Sequence, residues 1–181
     1  MTVRRHVVVG NGGAAVSAIE ALRSLAPGDE IVSISREDCP AYSPVLTVYY
    51  LSGRITYRGM FICNREFYRR HKVATHWGQA ATAVDAPRRE VRLADGSTVP
   101  YDTLLIATGS TPIVPRIPGV GLPGVFTLWT AQDARKLKQG VARAHRVAVV
   151  GAGMIGMQVI NALIAMGKEV SVIELLERPA A

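Results

Sequence analysis

Two glycine-rich turns, each directly after a run rich in valine, constrain the fold of this chain more than any other feature. The first is Gly10-Asn11-Gly12-Gly13-Ala14-Ala15, after Val7-Val8-Val9; the second is Gly151-Ala152-Gly153-Met154-Ile155-Gly156, after Val147-Ala148-Val149-Val150. A buried strand that leads through a G-x-G-x-x-G/A turn into a helix is the pattern with which Rossmann-type folds bind a dinucleotide. Either cluster alone could be a plain tight turn. Two together predict two dinucleotide sites, and therefore electron transfer between two bound nucleotides.

Each position in such a turn has a physical role. The first glycine permits the tight bend, the second lets the backbone approach the pyrophosphate, and the third small residue lets helix and strand pack closely. The amino end of the helix contributes free N–H groups and the positive end of its dipole.

An acidic residue after the second strand of each unit is expected to bind ribose hydroxyl groups. At the second site this residue is Glu174, 23 residues after Gly151. At the first site the candidate is Glu37, 27 residues after Gly10. Because a carboxylate repels a 2′-phosphate, Glu174 favours NAD over NADP, although Arg178 close by weakens that discrimination.

Hydrophobic periodicity predicts the elements around the turns. Residues 5–10 and 30–35 are expected to form parallel strands joined by a helix at 13–25. That helix is expected to bury one apolar stripe, formed by Ala14, Ala18, Ala21, Leu22 and Leu25.

The middle of the chain has a different pattern. Alternation predicts a β-meander over about 73–100, followed by a buried strand at 101–109. Residues 111–124 are rich in proline and glycine and predict a connector. A helix at about 131–139 then leads to a second β-α-β unit at 146–174.

Composition narrows the function classes. The net charge is +7, and basic residues form two runs, at 65–72 and 135–146. We interpret these runs as solvated helix faces. The alternative is a surface that binds an acidic partner. No nucleic-acid motif is present.

Cys39 and Cys63 lack close redox spacing and the four histidines are scattered, so no metal site is predicted. No apolar run reaches the ~18 residues of a membrane span, and no secretory signal is present, which predicts a cytoplasmic location.

With the strand Tyr101-Asp102-Thr103-Leu104-Leu105-Ile106-Ala107-Thr108-Gly109 between them, the two turns resemble those of the FAD-dependent pyridine nucleotide-disulfide oxidoreductase superfamily. The similarity is to its NADH-dependent rubredoxin, ferredoxin and nitrite reductase-like branch, and it extends over residues 7–174. It implies an α/β, three-layer FAD/NAD(P)-binding Rossmann-like fold with an inserted second Rossmann-like NAD domain, incomplete at the carboxyl terminus. The implied domains are an FAD-binding domain at 1–115, which contains the meander, and the start of an NAD-binding domain at 116–181.

The resemblance also implies a set of binding residues. Those for the adenosine and pyrophosphate of FAD would be Gly10, Gly12, Gly13, Ala14 and Glu37. Thr108 and Gly109 would close over the FAD, and Ala81 would offer its backbone near the adenine. Those for NADH would be Gly151, Gly153, Met154, Ile155, Gly156 and Glu174. No catalytic residue is assigned, because hydride transfer from NADH to the flavin requires no acid or base from the protein.

The sequence departs from the family in the segment expected beside the flavin ring. Pro44 replaces a common Lys or Arg, no reactive cysteine lies near Val45, and Gln158 replaces a common Glu. The two replacements are consistent with each other, because a buried Glu that had lost its Lys or Arg partner would cost several kcal/mol, and a neutral Gln avoids that cost. The alternative is that the register of this loop is shifted by one residue.

These inferences predict an FAD-dependent oxidoreductase that takes hydride from NADH and passes electrons to an external redox acceptor, without a redox-active cysteine pair. A small acidic iron–sulfur protein is one candidate acceptor. The alternatives are an NADH oxidase or coenzyme A-disulfide reductase-like enzyme, a flavin-binding regulatory module with little turnover, and a truncated chain that retains no cofactor. One β-α-β unit leaves apolar surface exposed, so we expect the chain to be the amino-terminal part of a longer protein and inactive by itself. Its oligomeric state is not predicted.

Overall fold

The computed structural model describes residues 2–177, which divide into two compact units. The first unit comprises residues 2–43 and Phe61–Ser110, and the second comprises Pro44–Met60 and residues 111–177. In chain order the elements are β1 (Arg5–Val9), α1 (Gly13–Leu25), β2 (Glu30–Ser35), α2 (Leu46–Leu51), a 3-10 turn (Tyr57–Met60), α3 (Arg65–Arg70), β3 (Val73–Trp77), β4 (Ala81–Asp85), β5 (Glu90–Leu93), β6 (Thr98–Pro100), β7 (Thr103–Ile106), α4 (Ala131–Arg143), β8 (Arg146–Val150), α5 (Met154–Ala165) and β9 (Glu169–Ile173). Within residues 2–177, no helix has both the length and the apolar composition to cross a bilayer.

The first unit is a three-layer α/β arrangement around a parallel sheet of order β3-β2-β1-β7. β1 and β2 are buried on both faces and mostly apolar, as is usual for central parallel strands. On one face an apolar cluster joins the sheet to the antiparallel β4-β5-β6 meander; its buried members are Val7, Val9, Val32, Ile34, Val91, Leu93 and Val99. On the other face, Ile19 of α1 and Tyr68 of α3 pack with Ile31.

Three sequence predictions for this unit need correction. The meander spans only Ala81–Pro100, because β3 pairs with β2 in parallel at the edge of the described sheet. As an edge strand, β3 is largely exposed and lacks the apolar run that marks a central parallel strand. The strand expected at 101–109 is short and not buried, with Ile106 62% exposed.

The buried face of α1 was also predicted wrongly. The helix has the expected bounds, but its buried residues are Ala15, Val16 and Ile19, whereas Leu25 is 85% exposed. The helix face that packs on the sheet therefore includes Ala15 and Ile19, and Ile19 contacts Ile31 and Tyr68.

The second unit contains the parallel pair β8-β9, with α2, α4 and α5 packed around a shared apolar cluster. The buried residues of this cluster are Val48, Leu51, Leu137, Val141, Val159, Ala162 and Leu163. Helix α4 begins with a capping box in which Thr130 and Asp133 each bind the backbone of the other, and it extends four residues beyond the predicted end. Residues 111–124 contain neither helix nor strand, as their composition predicts.

Candidate functional site: the two glycine turns

The first glycine of each turn has the same backbone construction. Gly10 has φ +109° and donates its N–H to the carbonyl oxygen of Ile34, at 2.9 Å. Gly151 has φ +95° and donates to the carbonyl oxygen of Ile173, at 2.8 Å. Both glycines therefore join the ends of two adjacent parallel strands, in a conformation that L side chains rarely adopt.

The second glycine of each turn leaves the amino end of a helix open. Gly12 and Gly153 have extended backbones and precede α1 and α5, without a side-chain cap and without an acid in the first helical turn. A Cβ at either position would meet no atom within 4 Å. By contrast, α3 is capped by Asn64 and α4 by Thr130. The two open helix ends fit a pyrophosphate group, which needs N–H donors and close approach to the backbone.

The third small residue differs between the turns. Ala15 is fully buried in the first turn, so its Cβ is accommodated. In the second turn a Cβ on Gly156 would lie 2.1 Å from the carbonyl oxygen of Gly151. In the first turn the equivalent crowding is at Gly10, whose Cβ would lie 2.1 Å from the carbonyl oxygen of Ala107.

That contact brings the end of β7 against the first turn. The nitrogen of Thr108 would be 2.9 Å from a Cβ on Gly10, and Gly109 follows with φ +68°. The structure therefore places Thr108 and Gly109 beside the first turn. Ala81 lies at the start of β4, where it pairs with Leu93, and its predicted role at an adenine stays a prediction.

The candidate acid of the first unit is held by a tyrosine. Glu37 follows the end of β2, and its carboxylate accepts a hydrogen bond from the Tyr42 hydroxyl at 2.8 Å. Tyr42 is buried, so the carboxylate has a fixed partner on one side. Its predicted role at a ribose stays a prediction.

The candidate acid of the second unit binds its own loop. One oxygen of Glu174 accepts the N–H of Ala152 at 2.6 Å, and the other accepts those of Leu175 and Leu176 at 2.7 and 3.0 Å. These three donors, with Leu176 the strongest, hold the pKa of Glu174 below its usual value. Glu174 is therefore an ionised acid next to the second glycine turn. Arg178, which was expected to weaken its discrimination, lies outside the described residues.

The remaining predicted residues are exposed to solvent at the two turns. Gly13 and Ala14 in the first turn, and Met154 and Ile155 in the second, are exposed at the first turn of their helices. Sequence reasoning missed Asn11, whose side chain is bound by the buried Tyr68, 57 residues away. No local pattern could have found this pair, because α3 reaches the turn only through the tertiary fold.

The segment that departs from the family pattern has its own local structure. Pro44 and Val45 are exposed, and the Pro44 carbonyl accepts hydrogen bonds from the N–H and hydroxyl of Thr47 at the start of α2. Gln158 is exposed on α5. Burial, with the nearby carboxylates of Glu37 and Asp38, raises the pKa of the Cys39 thiol to about 11. Cys39 is therefore a poor nucleophile near neutral pH.

Within residues 2–177, no three His, Cys, Asp or Glu side chains cluster in a way that could hold a metal ion.

The chain is similar in sequence to several characterised proteins. It is 34% identical to the NADH-dependent phenylglyoxylate dehydrogenase subunit epsilon of Aromatoleum evansii over 96% of this chain and 41% of that protein. It is also 34% identical to a probable ferredoxin reductase of Castellaniella defragrans, over 98% of this chain and 44% of that protein. The chain thus spans about two fifths of the length of these relatives.

The fold is similar to that of solved oxidoreductases. The water-forming NADH oxidase from Lactobacillus brevis superposes with a TM-score of 0.92 and 27% identity, over 98% of this chain and 41% of that one. The sequence model for pyridine nucleotide-disulphide oxidoreductases matches residues 4–181, nearly the whole chain. With its α/β fold and its two glycine turns, this chain belongs to the pyridine nucleotide-disulphide oxidoreductase family.

Proposed function

We propose that this chain supplies the FAD-binding part and the start of the NADH-binding part of a flavoprotein oxidoreductase. Once bound, FAD would accept hydride from NADH and would release the electrons to an external acceptor, without a redox-active cysteine pair. The observation that carries the proposal is the repeated construction of the two turns: a left-handed first glycine bound to the adjacent strand, and an uncapped helix beginning after the second glycine. Family membership and the NADH-dependent relatives support it.

The first turn is proposed to hold FAD, which supplies a ring able to accept a hydride and release electrons. The open end of α1 after Gly12 binds the pyrophosphate, with Gly10, Gly13 and Ala14 lining the approach. Thr108 and Gly109 cover it from the end of β7. Glu37 binds the adenosine ribose, and Ala81 lies near the adenine.

The second turn is proposed to hold NADH. The N–H groups at Gly153, Met154 and Ile155 face the pyrophosphate, and Gly151 and Gly156 keep the turn tight. Glu174 accepts hydrogen bonds from the ribose diol and repels the 2′-phosphate of NADPH, because the carboxylate is ionised at neutral pH.

The acceptor is proposed to lie outside the chain. The raised pKa of Cys39 leaves little thiolate near neutral pH, which argues against Cys39 as the electron carrier. A small acidic iron–sulfur protein suits the net charge of +7 and the similarity to a probable ferredoxin reductase. If no thiol participates, Cys39→Ser leaves NADH turnover unchanged in a steady-state assay with a dye acceptor; a large loss would contradict this part of the proposal.

An NADH oxidase is the second candidate, supported by the close similarity to the Lactobacillus brevis enzyme. In that case dioxygen is the acceptor. Comparing NADH consumption in air with consumption under argon plus a ferredoxin separates the two candidates, since only the oxidase consumes NADH rapidly with oxygen alone.

The first experiment is the visible spectrum of the purified protein, at its full natural length, before and after anaerobic addition of NADH. We expect a bound flavin that is bleached by NADH and less readily by NADPH. A bound flavin that stays oxidised would favour a regulatory module. Absence of flavin would mean that the first turn does not hold FAD.

A further inference from the structure

A buried tyrosine lies behind the first glycine turn. Tyr68 on α3 is 2% exposed, and its hydroxyl donates to the side-chain oxygen of Asn11 at 2.7 Å. The same hydroxyl accepts the N–H of Ala41 at 3.1 Å. The thiol of Cys63 lies 3.5 Å from the same hydroxyl as a third, weaker partner, so the phenol both donates and accepts within the protein.

Asn11 is the residue between the first two glycines of the turn. Its amide nitrogen donates to the carbonyl oxygen of Cys39 at 3.0 Å, so both polar ends of the side chain bind the protein. Three hydrogen bonds and the backbone of residues 39–41 therefore form a closed loop through Asn11 and Tyr68. This loop attaches the first glycine turn to residues 39–41. Such a buried network is stabilising only when every member is satisfied.

Residues 39–42 also lead to the acid of the first unit. Tyr42 donates to Glu37, Ile62 donates its N–H to the Ala41 carbonyl at 2.8 Å, and Tyr42 forms an antiparallel bridge with Phe61. The same short segment thus connects the glycine turn, through Tyr68, with Glu37, through Tyr42. The position of the turn relative to the acid depends on this segment.

We infer that Tyr68 is a positioning residue of the first dinucleotide site, acting through Asn11. Its hydroxyl holds the Gly10–Gly12 backbone at the spacing from Glu37 that the adenosine diphosphate half of FAD requires. The inference rests on the proposed function, since it concerns the same site. The competing role is structural: the Tyr68 ring packs edge-on against Phe67 and Trp77, at centroid distances of 5.1 and 4.5 Å, and could serve α3 alone.

The substitution that separates these roles is Tyr68→Phe, which keeps the ring and removes the hydroxyl. In the full-length holoenzyme and its apoprotein, we expect the Kd for FAD to rise about tenfold, since a buried partner group is left unsatisfied. At saturating FAD, kcat and the KM for NADH stay unchanged, because the second turn is untouched. Tyr101→Phe, which removes the hydroxyl of a half-buried tyrosine in the same unit, is the matched control and leaves the Kd unchanged.

A second set of variants tests whether Tyr68 acts through Asn11. Asn11→Ala should also raise the Kd for FAD, and the double variant should raise it by less than the product of the two single effects, because both single variants remove the Tyr68–Asn11 hydrogen bond. If Tyr68→Phe does not fold, Asn11→Ala measures that contact from the other side. Unchanged FAD affinity in both single variants, with a wild type that binds FAD, overturns the inference alone. A wild type that binds no FAD overturns the proposed function and the inference with it.

Discussion

The two glycine turns have the same backbone conformation, but the atoms that leave no room for a Cβ come from different parts of the chain. In the first turn the constraint comes from outside, because the Ala107 carbonyl lies where a Cβ on Gly10 would be. In the second turn it comes from within, because the Gly151 carbonyl lies where a Cβ on Gly156 would be. One sequence fingerprint can therefore satisfy two distinct steric requirements, and the same glycine-to-alanine change need not have the same effect in both turns.

The candidate acids of the two units also differ in the groups that bind them. Glu37 is bound by the side chain of Tyr42, from the segment that follows it, whereas Glu174 is bound by backbone N–H groups that include Ala152 in the turn itself. The first acid and its turn are thus joined through other parts of the fold. The second acid and its turn form one local structure.

The largest effect is expected from alanine at the first glycines. Gly10→Ala combines a left-handed φ with a backbone clash and should lower the free energy of unfolding by about 3 kcal/mol or more, with loss of bound flavin. Gly151→Ala has the strained φ but no described atom within 4 Å, so the loss should be about 1–2 kcal/mol. Denaturant unfolding of both variants checks the difference; equal losses would remove the distinction between the turns.

Removing the charge of the second acid should change nucleotide preference. Glu174→Gln keeps the shape of the side chain but no longer repels a 2′-phosphate, so the ratio of kcat/KM for NADPH to that for NADH should rise about tenfold. Glu37→Gln is the matched variant in the first unit and should leave this ratio unchanged. An altered ratio in Glu37→Gln, or none in Glu174→Gln, would contradict the assignment of the two sites.

A smaller effect is expected at the third position of the second turn. Gly156→Ala lacks the left-handed φ of Gly10→Ala, so we expect it to fold, but its Cβ would lie 2.1 Å from the Gly151 carbonyl oxygen and the backbone must adjust. The adjustment must move the Gly151 carbonyl, so we expect the KM for NADH to rise severalfold while flavin content is unchanged. Loss of flavin in this variant would mean that the two turns are not independent.

The smallest effect concerns pH. The folded pKa of Glu174 is lowered by its three N–H donors, so the stability it contributes is present above its ordinary value of 4.5 and is lost as pH falls through the lowered pKa. The stability of wild type should therefore exceed that of Glu174→Gln near neutral pH, and the difference should shrink below pH 4.5. Thermal unfolding of the pair across this range provides the measurement, and a difference that grows in acid would contradict the contacts.

Local sequence predicted the elements on which the turns depend. Valine runs before each fingerprint correctly placed β1 and β8, and the helices after them begin directly after the second glycine of each turn. These features are local, because a strand, a left-handed glycine and a helix start are all decided within a few residues. The contacts of Glu174 are only partly local: Leu175 and Leu176 are its immediate neighbours, but Ala152 lies 22 residues away and reaches it through the pairing of β8 with β9.

Tertiary structure decided what lies against each turn. The sequence alone determined two glycine turns, their helices and the acids that follow, because glycine conformation and strand periodicity are properties of short segments. It could not show that β3 joins the parallel sheet, that α1 turns Ala15 inward, or that Tyr68 binds Asn11. These depend on packing between residues far apart in the chain, where the contact, and not the local pattern, determines which face is buried and which hydroxyl finds a partner.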